Sequence, residues 1–152
     1  AFQSFINTYP DSDKIDEANT HYSEIRLKLE KKYFEIAKTY YRTADYDLRN
    51  YKAAIKAFDN LLEDFLGTKY KEEAIYYSFK AGHDFVLKSY DRRKLERISD
   101  ATEDYERLKK SFPESKYLED ANEMFATVQK EKTKVDALVT KQAASVANLQ
   151  KK

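Results

Sequence analysis

Cysteine is absent from this 152-residue chain, and glycine and proline occur only twice each. Without cysteine there is no disulfide framework, thiol nucleophile, zinc finger or iron–sulfur cluster, although the absence fits any redox compartment. Average usage would supply about 18 glycines and prolines at this length. Sandwiches, barrels and doubly wound sheets need a turn residue every dozen positions or so, and the shortage therefore points to an all-α protein. No apolar run approaches the roughly 18 residues of a membrane helix. The opening Ala1-Phe2-Gln3-Ser4-Phe5-Ile6 has no basic region of the signal-peptide kind. A charge excess is missing too, because 28 Lys and Arg against 27 Asp and Glu leave a net +1. A nucleic-acid binder would show a basic stripe and an acidic disordered tail the opposite sign; neither is present.

What is present is apolar material and a repeat. Hydrophobic residues make up 41% and aromatics 14% of the chain, enough to bury. Three segments superpose: Ala1-Phe2, Phe5-Ile6, Tyr9-Pro10, Ser12, Ala18; Ala57-Phe58, Leu61-Leu62, Phe65-Leu66, Thr68, Ala74; and Asp104-Tyr105, Leu108-Lys109, Phe112-Pro113, Ser115, Ala121. Apolar residues at i, i+3, i+4 and i+7 make one helical face. Pro10 and Pro113 stop the helix, Ser12, Thr68 and Ser115 are placed to cap the next one, and the small Ala18, Ala74 and Ala121 allow close approach two turns in. The unit is a helix, a tight turn and a helix packed back on it.

The pattern predicts helices over about 1–9, 14–43 (one, or two with a bend near Lys31-Lys32), 50–65, 69–88, 92–111 and 115–150. The stops lie 56 and 47 residues apart, and Tyr33–Leu66 forms a unit of 34, the length of a tetratricopeptide repeat. Residues 1–131 read as helical repeats and 132–152 as a C-terminal helical extension, with a weak stripe of Val135, Leu138, Val139, Gln142, Val146 and Leu149. The first helix corresponds to the second half of a repeat, so the chain is expected to be a fragment of a longer protein.

The stretch Lys32-Tyr33-Phe34-Glu35-Ile36-Ala37, Tyr40-Tyr41, Tyr51, Ala53-Ala54-Ile55, Phe58, Asp64-Phe65-Leu66-Gly67-Thr68-Lys69-Tyr70, Glu73-Ala74 resembles the BamD family, tetratricopeptide lipoproteins of the bacterial outer-membrane β-barrel assembly machine. The likeness covers residues 1–88, and Phe112-Pro113-Glu114-Ser115-Lys116-Tyr117 resembles the longer Bacteroidetes-type members. The lipid-bearing cysteine of the family is absent. The resemblance implies a right-handed α-solenoid of helix hairpins at the periplasmic face of the outer membrane, touching the membrane only through a lipid anchor outside these residues. It also implies a non-enzymatic scaffold that docks a BamA-like POTRA domain, alongside other assembly subunits, through its C-terminal repeats. The residues leave open a generic tetratricopeptide adaptor of another pathway, and a helical accessory domain of a cell-wall enzyme.

Catalytic and cofactor chemistry find little support. His21 and His83 fall in different helices with no metal-pair spacing, and read as ordinary surface or semi-buried residues. The acids Glu72-Glu73 and Glu103-Asp104-Glu106 read as solvated, and Gly67 as a helix C′ residue rather than part of a phosphate loop. No cofactor is expected. Lys31-Lys32, Arg92-Arg93-Lys94, Lys109-Lys110 and Lys130 to Lys134 are interleaved with acids and suit i,i+4 pairing. Of the 13 tyrosines, Tyr33, Tyr40, Tyr41, Tyr51, Tyr76, Tyr77 and Tyr117 suit helix packing or, alternatively, a partner groove. The turn Thr43–Asn50 is either a solvated loop or a docking loop. On the second reading Tyr40, Arg42, Asp45, Asp47, Arg49 and Tyr51 are the partner-binding residues.

Overall fold

Helix after helix follows in the order the apolar spacing dictates: α1 Phe2–Thr8, α2 Ile15–Thr43, α3 Arg49–Asp64, α4 Lys71–Leu87, α5 Asp91–Ser111 and α6 Leu118–Leu149. The computed structural model describes residues 2–149, with side chains over residues 2–143, and no strand occurs among them. The protein is all-α, as its composition requires. Expected helix positions at Ala1 and residue 150, and residues 150–152 of the expected extension, lie outside the described residues.

α3 and α5 bury the same face. Tyr51, Ala54, Phe58 and Leu61 are covered in α3, and Ile98, Ala101, Tyr105 and Leu108 in α5, each set spaced three, four and three residues apart. α4 lies between neighbours on both sides, with Ala74, Ile75, Phe79, Ala81 and Val86 all at 1% exposure or less. Each helix packs on the next in sequence, and α4 also touches α2 and α6. Two apolar clusters result, one centred on Phe34, Phe58 and Leu61 and the other on Phe79, Tyr105 and Leu108, with α4 contributing to both.

The three repeated junctions share one hydrogen-bond scheme. The N–H groups of Tyr9, Phe65 and Phe112 close the preceding helix onto Phe5, Leu61 and Leu108. Those of Ser12, Thr68 and Ser115 reach back to the carbonyls of Tyr9, Phe65 and Phe112, and those of Ile15, Lys71 and Leu118 to the carbonyls of Ser12, Thr68 and Ser115. Each hydroxyl accepts from the N–H two residues on, at 3.2 Å (Lys14), 3.3 Å (Tyr70) and 3.1 Å (Tyr117). The hydroxyls thus brace the turn before the helix rather than occupying the N-cap, where Lys14 and Tyr70 stand without a side-chain cap bond. The middle junction replaces proline with Leu66-Gly67, and Gly67 takes φ +78°, the positive angle that a turn demands of its third residue in the type II form.

Aromatic contacts repeat with the junctions. Phe34 stacks on Tyr70 at 4.6 Å, and Tyr76 stacks on Tyr117 at 4.2 Å. Phe2 meets His21 at 5.6 Å, Phe58 meets Tyr77 at 6.1 Å and Tyr105 meets Phe125 at 3.9 Å. α2 is one uninterrupted helix through Lys31-Lys32. α6 runs without a break across residues 131 and 132, and beyond Val135 its side chains are exposed as far as residue 143.

Candidate functional site

The turn between α2 and α3 is short and tied down. Ala44 is fully buried, and the Asn50 side-chain amide donates to the Thr43 hydroxyl at 3.1 Å. From α3 the Tyr51 hydroxyl donates to Asp45 Oδ1 at 2.6 Å. From the C-terminal end of α4 Lys88 Nζ donates to that same oxygen. Lys88 also lies 5.6 Å over the Tyr51 ring. Hydrogen bonds from Lys88 and Tyr51 hold the Asp45 carboxyl below the usual range, and Asp45 and Tyr51 in turn raise the Lys88 ammonium. Asp45 and Lys88 thereby latch the α2–α3 turn onto the α4–α5 turn.

A second polar link lies deeper. The Tyr41 hydroxyl donates to Asp84 Oδ2 at 2.7 Å, and His83 Nδ1 sits 2.8 Å from Asp84 Oδ1. Burial works against the Asp84 charge, but the bonds from His83 and Tyr41 outweigh it and keep the carboxyl below the usual range. Burial, with the bond to Asp84, pushes the Tyr41 phenol up. His83 is buried, at 8% exposure, and this chain of groups ties α2 to α4. His21 is exposed against Glu17 and Glu24.

The six residues singled out from the sequence separate here. Tyr40 is exposed on α2. Arg42 turns back to the Thr39 hydroxyl at 3.1 Å and to Glu35 at 3.9 Å. Asp47 and Arg49 pair with each other, through Nε at 3.0 Å and Nη2 at 2.7 Å, and Arg49 lowers the Asp47 carboxyl. Tyr51 is 2% exposed, its ring 6.3 Å from Tyr41 and 5.8 Å from Phe85, so the ring cannot meet a partner. The charges of this turn are satisfied within the chain.

Two aromatics outside those six face outward more fully than Tyr40. Tyr46 is 92% and Tyr90 82% exposed, one on each of the two latched turns, with Leu48 and Leu87 half-exposed beside them. The available signal was an aromatic in a break between helices, with no apolar residue at helical spacing to make it part of a core.

α3 and α5, whose backbones stand apart and which are bridged by Arg107 and Asp59, bound a groove of about 700 Å³ over α4. Its floor includes Ile55, Gly82, Phe85 and Ala101. A Cβ on Gly82 would stand 3.3 Å from the Ala101 Cβ, so α4 and α5 meet closely there. Asp104, expected to be solvated, is instead largely buried: it accepts from the Ser78 hydroxyl at 2.8 Å and lies 3.6 Å from Arg107. Burial pushes its carboxyl up to about 6, against the bond from Ser78 and the Arg107 charge. Helix geometry carries Asp104 inward while Glu103 and Glu106 point out, a distinction that adjacency in sequence hides.

No group of three or more potential ligand residues among the described ones is gathered for a metal, and no described helix is long and apolar enough to cross a membrane. Comparison with known proteins returns no match, either to a family model or to a curated protein.

Proposed function

We propose that the chain is a non-enzymatic scaffold that holds a partner protein domain along the edge formed by its α2–α3 and α4–α5 turns. The observation that supports this is the pairing of two almost fully exposed tyrosines, Tyr46 and Tyr90, on turns fixed to one another by Asp45 and Lys88. Tyrosine offers a large contact area at little conformational cost and is enriched at the energetic centre of interfaces. A latch beneath it reduces the ordering that binding requires. The paired charges Asp47 and Arg49 form a rim that guides encounter and register.

On this reading the architecture is a tetratricopeptide-like right-handed α-solenoid, supported by the tripled junction and by the contacts of α4 with both α2 and α6. The partner is a BamA-like POTRA domain in the outer-membrane assembly complex, at the periplasmic face of the membrane, and that choice rests on the sequence resemblance. The test is isothermal titration of the protein against a periplasmic POTRA array. Binding that Tyr46→Ala with Tyr90→Ala weakens at least about tenfold is the expected result. No heat with the array, but tyrosine-dependent binding to some other domain, would favour an adaptor of another pathway.

A further inference from the structure

The groove between α3 and α5 carries charges that the chain itself leaves uncompensated. At one end it is closed by Arg107, whose Nη2 lies 3.2 Å from Asp59 on α3. Away from that pinch the walls stand apart. Lys52 and Lys56, one turn apart on α3, line one side, and Asp100 and Glu103, also one turn apart on α5, line the other. Among the described residues none of these four is in an ion pair, whereas their neighbours are engaged: Arg93 with Glu96 at 3.6 Å, and Arg97 with the Ser89 hydroxyl and the face of Phe85, 3.6 Å from its centre. Lys52 and Asp100 sense each other electrostatically without coming within ion-pair distance. Two rows of opposite charge thus flank a floor in which Ile55 and Phe85 are half-buried, Phe85 beneath Arg97, and Ala101 is fully buried.

We infer that this groove receives an amphipathic helix of a partner protein, with a narrow apolar ridge, an acidic flank toward Lys52 and Lys56, and a basic flank toward Asp100 and Glu103. The charges on each wall recur once per helical turn. A helix laid along the groove, with a pitch of about 5.4 Å, repeats its own flanking charges at the same interval. The ridge covers the floor, and the flanks supply counter-charges to four groups that make no ion pair among the described residues. The site is separate from the tyrosine edge and does not depend on the scaffold reading.

The experiment uses a synthetic helical peptide of about 20 residues with an Ala/Leu ridge, Glu on one flank and Lys on the other at four-residue spacing. Fluorescence anisotropy gives its affinity for the protein, and amide chemical-shift mapping gives its location. Expected are shifts at Ile55, Phe85 and Ala101, and at least about tenfold weaker binding of peptides whose flanks are both acidic or both basic. Joint Lys52→Glu and Lys56→Glu substitution, at exposed positions, weakens binding comparably, while Lys109→Glu with Lys110→Glu does not; circular dichroism checks that each variant is folded. Shifts confined to other surfaces, no binding at millimolar peptide, or equal affinity for the single-sign peptides would overturn the inference.

Discussion

Glu30 and Thr68, 38 residues apart in sequence, meet at 2.9 Å, with the Thr68 hydroxyl donating to Glu30 Oε2 while accepting the Tyr70 N–H. Glu30 is 4% exposed, and its other oxygen takes the Arg26 Nε–H at 3.0 Å. Arg26 in turn donates to the Leu66 carbonyl at 2.8 Å. The middle of α2 therefore clamps the α3–α4 turn from both sides. A buried carboxylate deprived of a donor is costly, so Thr68→Val is expected to lower stability by about 2 kcal/mol. Ser115→Ala, which removes only a local turn bond, should lower it by about 1 kcal/mol. Urea unfolding of the two variants measures the difference.

Asp104 sets a pH dependence. Its folded-state carboxyl, pushed up to about 6 by burial, lies above the ordinary 3.8 of the unfolded chain, so the folded state binds the proton more tightly. The associated stability is fully present below pH 3.8 and is lost as pH rises through about 6. The loss amounts to as much as about 3 kcal/mol. Asp104→Asn keeps an acceptor for Ser78, flattens this part of the profile and stabilises the protein at pH 7. Thermal melts across pH 4–7 report both effects.

Asp84 acts with the opposite sign. Held below its ordinary value by His83 and Tyr41 in spite of burial, it contributes stability above pH 3.8 that disappears as pH falls further. Tyr41→Phe removes one charge-assisted bond and is expected to cost about 1.5 kcal/mol at pH 7 and less in acid, where the stability contributed by the lowered carboxyl fades. Denaturant titrations at pH 7 and pH 3 make the comparison.

Gly67 is required by its backbone. At φ +78°, with open space where a side-chain methyl would stand, the penalty for Gly67→Ala is conformational strain and not a clash. A loss of about 1 kcal/mol is expected, and the same substitution at Gly82 differs in kind because its methyl would press on Ala101. Equal losses at both glycines, read by chemical denaturation, would contradict this distinction.

The helices were legible because their burial follows apolar spacing: Tyr51, Ala54, Phe58 and Leu61 repeat as Ile98, Ala101, Tyr105 and Leu108, and the stop-and-hydroxyl signals mark the junctions. Continuity of α2 was not legible, since Lys31-Lys32 breaks the apolar stripe without breaking the backbone. The site was harder to read. Charges in the α2–α3 turn left a solvated loop and a docking loop both open; in the structure Asp45 pairs with Lys88, just past α4, and Asp47 with Arg49, and no local pattern encodes the former. Tyr51 looked like its neighbours in the turn but belongs to the α3 buried face. Asp104 differs from Glu103 only by one helical step, which places it under Arg107 and beside Ser78.

Among the described residues every helix–helix contact joins elements one or two places apart in order, from α1 on α2 to α4 and α5 on α6. Closing such contacts requires only short loops, so assembly should be fast for the chain length. Because no contact among the described residues joins α1 to α6, unravelling can begin at either helix and halt at a junction. Amide exchange would then register a gradient of opening energies, highest around α4, in place of one shared value.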